Sequence, residues 1–167
     1  NKNKTESYND GSSYSGMFKN SKRHGRGVYT YSDGASYDGQ FKNGIRHGKG
    51  KFTWNDGDVY YGDWIDNDRT GKGKFTWKKS GDIYEGDYVD GSITWKGKYT
   101  YKVSGDIYEG DFVELDFTGK GQYTWKNGNI FYGSFKRDKK TTGRLIYKSS
   151  GKVEYGSYDS SGNWRKR

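Results

Sequence analysis

His47-Gly48-Lys49-Gly50-Lys51-Phe52-Thr53-Trp54-Asn55-Asp56-Gly57-Asp58-Val59-Tyr60-Tyr61-Gly62-Asp63-Trp64 is the stretch that decides the fold. Its two arms alternate with period two, the signature of half-buried strands. Phe52 and Trp54 share a parity with Gly48 and Gly50, and Lys49, Lys51 and Thr53 take the other. In the second arm Tyr60, Gly62 and Trp64 oppose Tyr61 and Asp63. Between them Asn55-Asp56-Gly57-Asp58 is turn chemistry, with Gly57 able to take φ > 0. The alternation predicts a hairpin in which Trp54 faces Tyr60, Phe52 faces Gly62 and Gly50 faces Trp64. By the same rule Tyr99 faces Gly110 and Tyr123 faces Gly133, so a ring lies over a neighbouring glycine.

The hairpin recurs along the chain. An aromatic-x-Gly-x-aromatic anchor starts at Tyr14, Tyr37, Tyr60, Tyr84, Tyr108 and Phe131, with a worn copy at Glu154-Tyr155-Gly156-Ser157-Tyr158. Successive anchors lie 23, 23, 24, 24, 23 and 23 residues apart. The extra residue of the longer copies falls in the turn, as in Lys78-Lys79-Ser80-Gly81-Asp82, so strand register survives it. Between anchors runs a second motif, His24-Gly25-Arg26-Gly27, then His47-Gly48-Lys49-Gly50, then Thr70-Gly71-Lys72-Gly73. Trp95 stands in its first glycine column, in Thr94-Trp95-Lys96-Gly97. Repeats of this length bury a continuous core only by stacking on one another.

These motifs resemble the MORN (membrane occupation and recognition nexus) repeat family over about Tyr8 to Tyr158. Gly44-Ile45-Arg46-His47-Gly48-Lys49-Gly50 fits its pattern best. The departures are the 24-residue copies, Thr in place of His from the third copy on, Trp95 in a glycine column and the eroded last copy. The resulting expectation is an all-β chain, a single-layer twisted antiparallel sheet of stacked β-hairpins. Residues 1–7 form a flexible leader, 8–158 the array with a partial copy at 8–13, and 159–167 a basic tail.

Composition narrows the function. Hydrophobic residues make up 29% of the 167 residues and aromatics 19%, with only Leu115 and Leu145 for leucine. Tyr and Trp therefore carry the apolar surface that aliphatic side chains usually supply. No apolar run is long enough for a membrane-crossing helix. With no Cys there is neither a disulfide framework nor a thiolate site, which fits a reducing compartment and also a bacterial surface protein. His24 and His47 are the only histidines and fall one repeat apart, too far to share a metal, so both are read as turn-stabilising. Carboxylates such as Glu85 and Asp87 recur with the repeat opposite lysine columns and read as a solvated face. Neither a catalytic site nor a cofactor or metal site is expected.

Binding is the better reading. Trp54, Trp77, Tyr101 and Trp125, with Tyr60, Tyr84 and Tyr108 beside them, are the expected groove for a protein segment, either a helix or an extended peptide. The charge is uneven: residues 131–167 carry 10 basic and 3 acidic side chains of a net +9. Lys136, Arg137, Lys139, Lys140 and Arg144 are the candidate contacts for anionic lipid or an acidic partner. Nucleic acid is disfavoured because few aromatics interleave with that cluster, and pairing of sheet ends offers a route to a homodimer. The resemblance implies a non-enzymatic scaffold, often cytoplasmic at the cytoskeleton or beneath a membrane. The alternative is a secreted or surface bacterial module that binds carbohydrate or cell wall, since Gly-aromatic hairpin repeats occur there too.

Overall fold

The computed structural model describes residues 2–167. It is all-β, a single layer of antiparallel strands whose order in the sheet is the order of the chain. The strands are β1 (Lys2–Ser7), β2 (Ser13–Lys19), β3 (Lys22–Thr30), β4 (Ser36–Lys42), β5 (Ile45–Thr53), β6 (Val59–Ile65), β7 (Asp68–Thr76) and β8 (Ile83–Val89). They continue with β9 (Ser92–Thr100), β10 (Ile107–Val113), β11 (Asp116–Thr124), β12 (Ile130–Lys136), β13 (Lys139–Ile146), β14 (Val153–Tyr158) and β15 (Trp164–Lys166). Two compact units divide the chain, Asn1–Lys79 with Tyr88–Ser92, and Ser80–Asp87 with Ile93–Arg167.

In the first unit the register differs from the expected one by two residues. Phe52 pairs with Tyr60, Gly50 with Gly62, and Gly48 with Trp64. Rings oppose rings and glycines oppose glycines, and across β6 and β7 Gly62 again meets Gly73. The reason is steric. The Tyr60 ring folds back along its own strand and lies over both Gly62 and Gly73, where any Cβ would collide with it. Its hydroxyl donates to the Asp63 carbonyl three residues on, at 3.2 Å, as Tyr14 does to Met17 and Tyr37 to Gln40, both at 3.0 Å. A ring does cover glycine, but Tyr60 covers the Gly62 two residues on in its own strand and the Gly73 paired with it, and Phe52 does not cover Gly62.

The His-Gly-x-Gly motif also has a backbone cause. Between Gly62 and Asp63 the register with β7 slips, because Asp63 pairs with Thr70 and not with Lys72. The same slip follows Gly16 and Gly39 in this unit and Gly110 in the other. The bulge needs a left-handed residue, and Gly48 and Gly71 supply it at φ +66° and +55°. That conformation redirects the position. Although Gly48 has the parity of Phe52, a Cβ there would meet the Gln40 side chain on the polar face.

The core runs along the aromatic face. Tyr14 packs edge-on against Phe41, Tyr37 against Trp64 and Tyr60 against Tyr88, with centroids 5.1, 5.3 and 5.0 Å apart, so each tyrosine meets the next copy's second ring. Such edge-to-face pairs add about 0.5–1.5 kcal/mol each beyond area burial. Residues 2–7, expected as a flexible leader, pair instead with β2 from Lys2↔Phe18 to Ser7↔Ser13. Asn1 lies outside the described residues.

The second unit repeats the scheme with Tyr108↔Tyr99 and Gly110↔Gly97, then Tyr123↔Phe131 and Gly121↔Gly133. Tyr99 and Tyr123 therefore face rings and not the glycines expected. The longer copies place their extra residue in the turn, as anticipated: Gly105 N–H reaches the Tyr101 carbonyl four residues back, whereas Gly57 reaches Trp54 over three. At the end of the array Glu154 takes the core column opposite Leu145 and is only 8% exposed. It accepts bonds from Tyr147 Oη, Trp164 Nε1 and Lys152 Nζ. Trp164 lies over Gly156 and packs on Tyr158 at 5.1 Å, supplying from β15 the ring that Glu154 lacks. Residues 159–167 are thus a turn and a paired strand, because the worn copy needs a substitute ring.

Candidate binding surface

Strands β3, β5, β7, β9 and β11 each end in two rings of one parity, and these build a ladder at the hairpin turns. In the first unit it runs Tyr29–Tyr31 at 4.7 Å, Tyr31–Phe52 at 5.6 Å, Phe52–Trp54 at 4.6 Å, Trp54–Phe75 at 5.2 Å and Phe75–Trp77 at 4.7 Å. Tyr31, Trp54 and Trp77 are half-buried, leaving part of each ring in water, one per repeat. Two strands at ~4.8 Å set these rings about 9.6 Å apart. Among the described residues the Trp54 indole N–H donates to no protein acceptor. The second unit carries a shorter ladder of Tyr99–Tyr101 at 4.7 Å and Tyr123–Trp125 at 5.1 Å, again with Tyr101 and Trp125 half-buried. Burial and the adjacent Asp82 and Asp106 carboxylates raise the Tyr99 and Tyr123 hydroxyls well above the ordinary tyrosine range.

Tyr60, Tyr84 and Tyr108, expected beside these rings in the groove, are fully buried. They are core, since their rings fill the glycine trench, and they offer no contact area. The groove is narrower than its sequence columns imply and consists of the outer ring of each pair.

A column absent from the sequence reading closes the ladder's inner side. Arg23, Arg46 and Arg69 recur at 23-residue spacing and lie on the aromatic face. The Arg46 guanidinium sits 4.5 Å from the Trp64 ring, and Arg23 sits 4.6 Å from Tyr29. Each Nη2 donates to a main-chain carbonyl in the next copy's turn: Arg23 to Gly44 at 2.8 Å, Arg46 to Asn67 at 2.9 Å, Arg69 to Gly91 at 2.6 Å. The signal was present as a third 23-residue period, hidden because charged residues were assigned to the solvent face.

The candidate basic cluster does not form one patch. Lys136, Arg137 and Lys139 are exposed around the β12–β13 turn. Arg144 pairs with Tyr132 on the polar face and lies 4.9 Å from that ring. Lys140 pairs with Phe135 on the opposite face, its Nζ 3.5 Å from the Tyr123 ring centre and 5.0 Å from Trp125. Burial pushes Lys140 down to about 8, so it serves the ladder and not a surface charge cluster. Alternation alone would put residues 140 and 144 on one face, and the register slip between them sends them to opposite faces.

On the polar face opposite charges alternate, with Lys49–Asp63 at 2.7 Å and Lys98–Glu109 at 3.7 Å. Both ends of these pairs are partly exposed, so they contribute little to stability. His24 and His47 lie in the bulges with Nδ1 buried and unpartnered among the described residues. No group of three His, Cys, Asp or Glu side chains able to hold a metal occurs among the described residues.

The MORN repeat family model matches residues 14–36, 37–59, 60–81 and 108–130, more than half of the chain. The chain belongs to the MORN repeat family. No curated protein matches it in sequence. Among solved structures, the SAS-4 (dCPAP) TCP domain of Drosophila melanogaster, in complex with a proline-rich motif of Ana2 (dSTIL), is similar at 10% identity and a TM-score of 0.54, over 99% of this chain and 88% of that one. The G-box domain of the microcephaly protein CPAP matches at 11% identity and a TM-score of 0.46, over 99% and 98% of the two chains. The TCP10 domain of Danio rerio CPAP matches at 12% and 0.33, over 95% and 84%. The first of these is a likeness of fold. Family and architecture fit a protein-interaction scaffold.

Proposed function

We propose that the chain is a non-enzymatic scaffold whose outer rings hold an extended, proline-rich protein segment laid across the strands. The observation that carries this reading is the ladder Tyr31, Trp54 and Trp77, one half-buried ring per repeat. A polyproline II helix turns once in three residues and advances ~3.1 Å per residue, or about 9.3 Å per turn. The ladder repeats every ~9.6 Å. Residues i, i+3 and i+6 of such a segment would therefore meet three successive rings in phase. An α-helix, at 5.4 Å per turn, has no such match. The backbone carbonyls of a polyproline II helix have no internal donors, and the Trp54 indole N–H is a free donor at the middle of the ladder. The proline-rich ligand of the SAS-4 domain gives the reading a precedent on a similar fold.

The test is calorimetric titration with a twelve-residue proline-rich peptide and with a matched alanine-rich helical peptide. Binding of the first alone, weakened at least tenfold by Trp54→Ala and Trp77→Ala in a protein that keeps its strand circular dichroism, is the expected result. Equal binding of both peptides, or binding that ignores both substitutions, would refute it.

A further inference from the structure

Trp95 is out of place three times over. It occupies the column where Gly25, Gly48, Gly71 and Gly119 supply the bulge's left-handed residue, and it holds φ +55° itself. A side chain with a Cβ resists that conformation. It is also 76% exposed, so nothing in the fold is gained by its large ring. The copy that carries it, residues 82–107, is an interior one outside the family model's matches.

The backbone explains where the ring goes. Trp95 pairs with Phe112, whose side chain is buried on the aromatic face. In extended conformation Trp95 would share that face. The left-handed turn sends it the other way. A Cβ at Gly119, in the same column one repeat on, would meet the Asp111 side chain first, on the polar face. The strained conformation is what displays an indole among charged side chains. Strain of this kind gathers at binding sites.

The surroundings of Trp95 in its own unit define a partner. Val113, opposite Thr94 in register, is 62% exposed, and Leu115 in the next turn is 44% exposed. Glu114 and Asp116 flank Leu115, exposed and without an ion-pair partner among the described residues. The nearer acids are already satisfied, Asp111 by Lys96 and Glu109 by Lys98. The patch is therefore an exposed indole with Val113 diagonally beside it and, at the adjoining turn, Leu115 and two carboxylates that no ion pair engages. Aromatic faces attract guanidinium, and Trp and Arg are the residues most enriched as interface anchors.

We propose that Trp95, with Val113, Leu115, Glu114 and Asp116, forms a second docking site on the polar face, and that its occupant is a basic protein segment presenting an arginine among apolar side chains. The guanidinium stacks on Trp95 and pairs with the free carboxylates, while the neighbouring apolar side chains cover Val113 and Leu115. This site is independent of the ring ladder.

A phage library of random twelve-residue peptides selected on the wild-type protein, after depletion on Trp95→Gly, tests this. The recovered peptides should carry arginine beside Leu, Ile or Phe. Synthetic copies should lose at least tenfold in affinity against Trp95→Gly and against the double variant Glu114→Lys, Asp116→Lys, and should bind Trp54→Ala unchanged. Trp95→Gly itself should melt at or above the wild-type temperature, because glycine suits the bulge. A lower melting temperature for Trp95→Gly would make the ring a structural element and overturn the proposal. So would recovery of no Trp95-dependent peptide, of peptides lacking basic residues, or of peptides indifferent to the charge reversal.

Discussion

Replacing Gly62 with alanine should destabilise the first unit through the Tyr60 ring. The new Cβ would meet Tyr60 Oη and Cζ and, at 2.8 Å, the Gly73 Cα across the strand pair. The backbone contact cannot be relieved by a rotamer change. Overpacking of this kind costs about 1–3 kcal/mol. If the ring moves, the Tyr60 bond to the Asp63 carbonyl is lost as well, at about 1 kcal/mol. At roughly 2–4 °C per kcal/mol for a chain of this size, the melting midpoint should fall by about 4–16 °C. Urea titrations of wild type, Gly62→Ala, Tyr60→Leu and the double variant, followed by tryptophan fluorescence, separate the cause. Tyr60→Leu alone loses a buried ring, but it also removes the atoms that Gly62→Ala strikes. The double variant should therefore be less unstable than the two single changes added together, by about 0.5–3 kcal/mol. Strictly additive penalties would refute the ring-over-glycine arrangement.

Alkali should unfold the protein cooperatively. Burial raises Tyr37, Tyr60, Tyr84 and Tyr108 above their usual value of 10, so stability is intact below pH 10 and falls above it, where the unfolded chain alone releases these protons. Phenolate absorbance should rise together with loss of strand circular dichroism, and a smooth titration near pH 10 with the fold retained would contradict the assignment. Lys140, held near 8, disfavours its charged form in the fold, so its penalty is full below pH 8 and fades towards 10.5. Lys140→Met should raise the melting temperature at pH 7, with the advantage shrinking by pH 9.5. Arg46→Ala removes the bonds to Asn67 and the cover on Trp64, and should cost about 1–3 kcal/mol by urea titration, with Arg46→Lys restoring less than half because ammonium lacks the planar fork.

The repeat was legible because period 23 and period two are both written in residue types. The all-β class, the turn glycines and the placement of the extra residue in the longer copies followed from them. Register was not legible. Alternation assigns a face to Gly48, but only a left-handed φ shows that the position points the other way. In the hairpin itself the turn decides, since Trp54 N–H reaches the Asp58 carbonyl and so pairs Phe52 with Tyr60 and glycine with glycine; Tyr60, Tyr84 and Tyr108 pass from candidate contacts to core. Trp54, Trp77, Tyr101 and Trp125 remain partly open because they lie beyond the strand ends, where no further ring covers them. The arginine column was visible as a spacing but not as a location, since its aromatic surroundings come from neighbouring copies.

Each arginine Nη2 bond between copies ends on a main-chain carbonyl, at Gly44, Asn67 or Gly91, and only Arg46 adds a side-chain contact, from its Nε to Asn67 Oδ1 at 3.4 Å. Every amino acid owns that acceptor, so the Nη2 bond itself selects only for turn geometry, which Gly44, Asn67 and Gly91 meet with φ of +95°, +75° and +79°. Any hairpin with a turn at the right height can follow any other that carries the arginine. Turn sequences can drift, and whole copies can be gained or lost by unequal recombination, without redesigning the junction on either side. Such a joint lets the length of an array evolve faster than the chemistry of its faces.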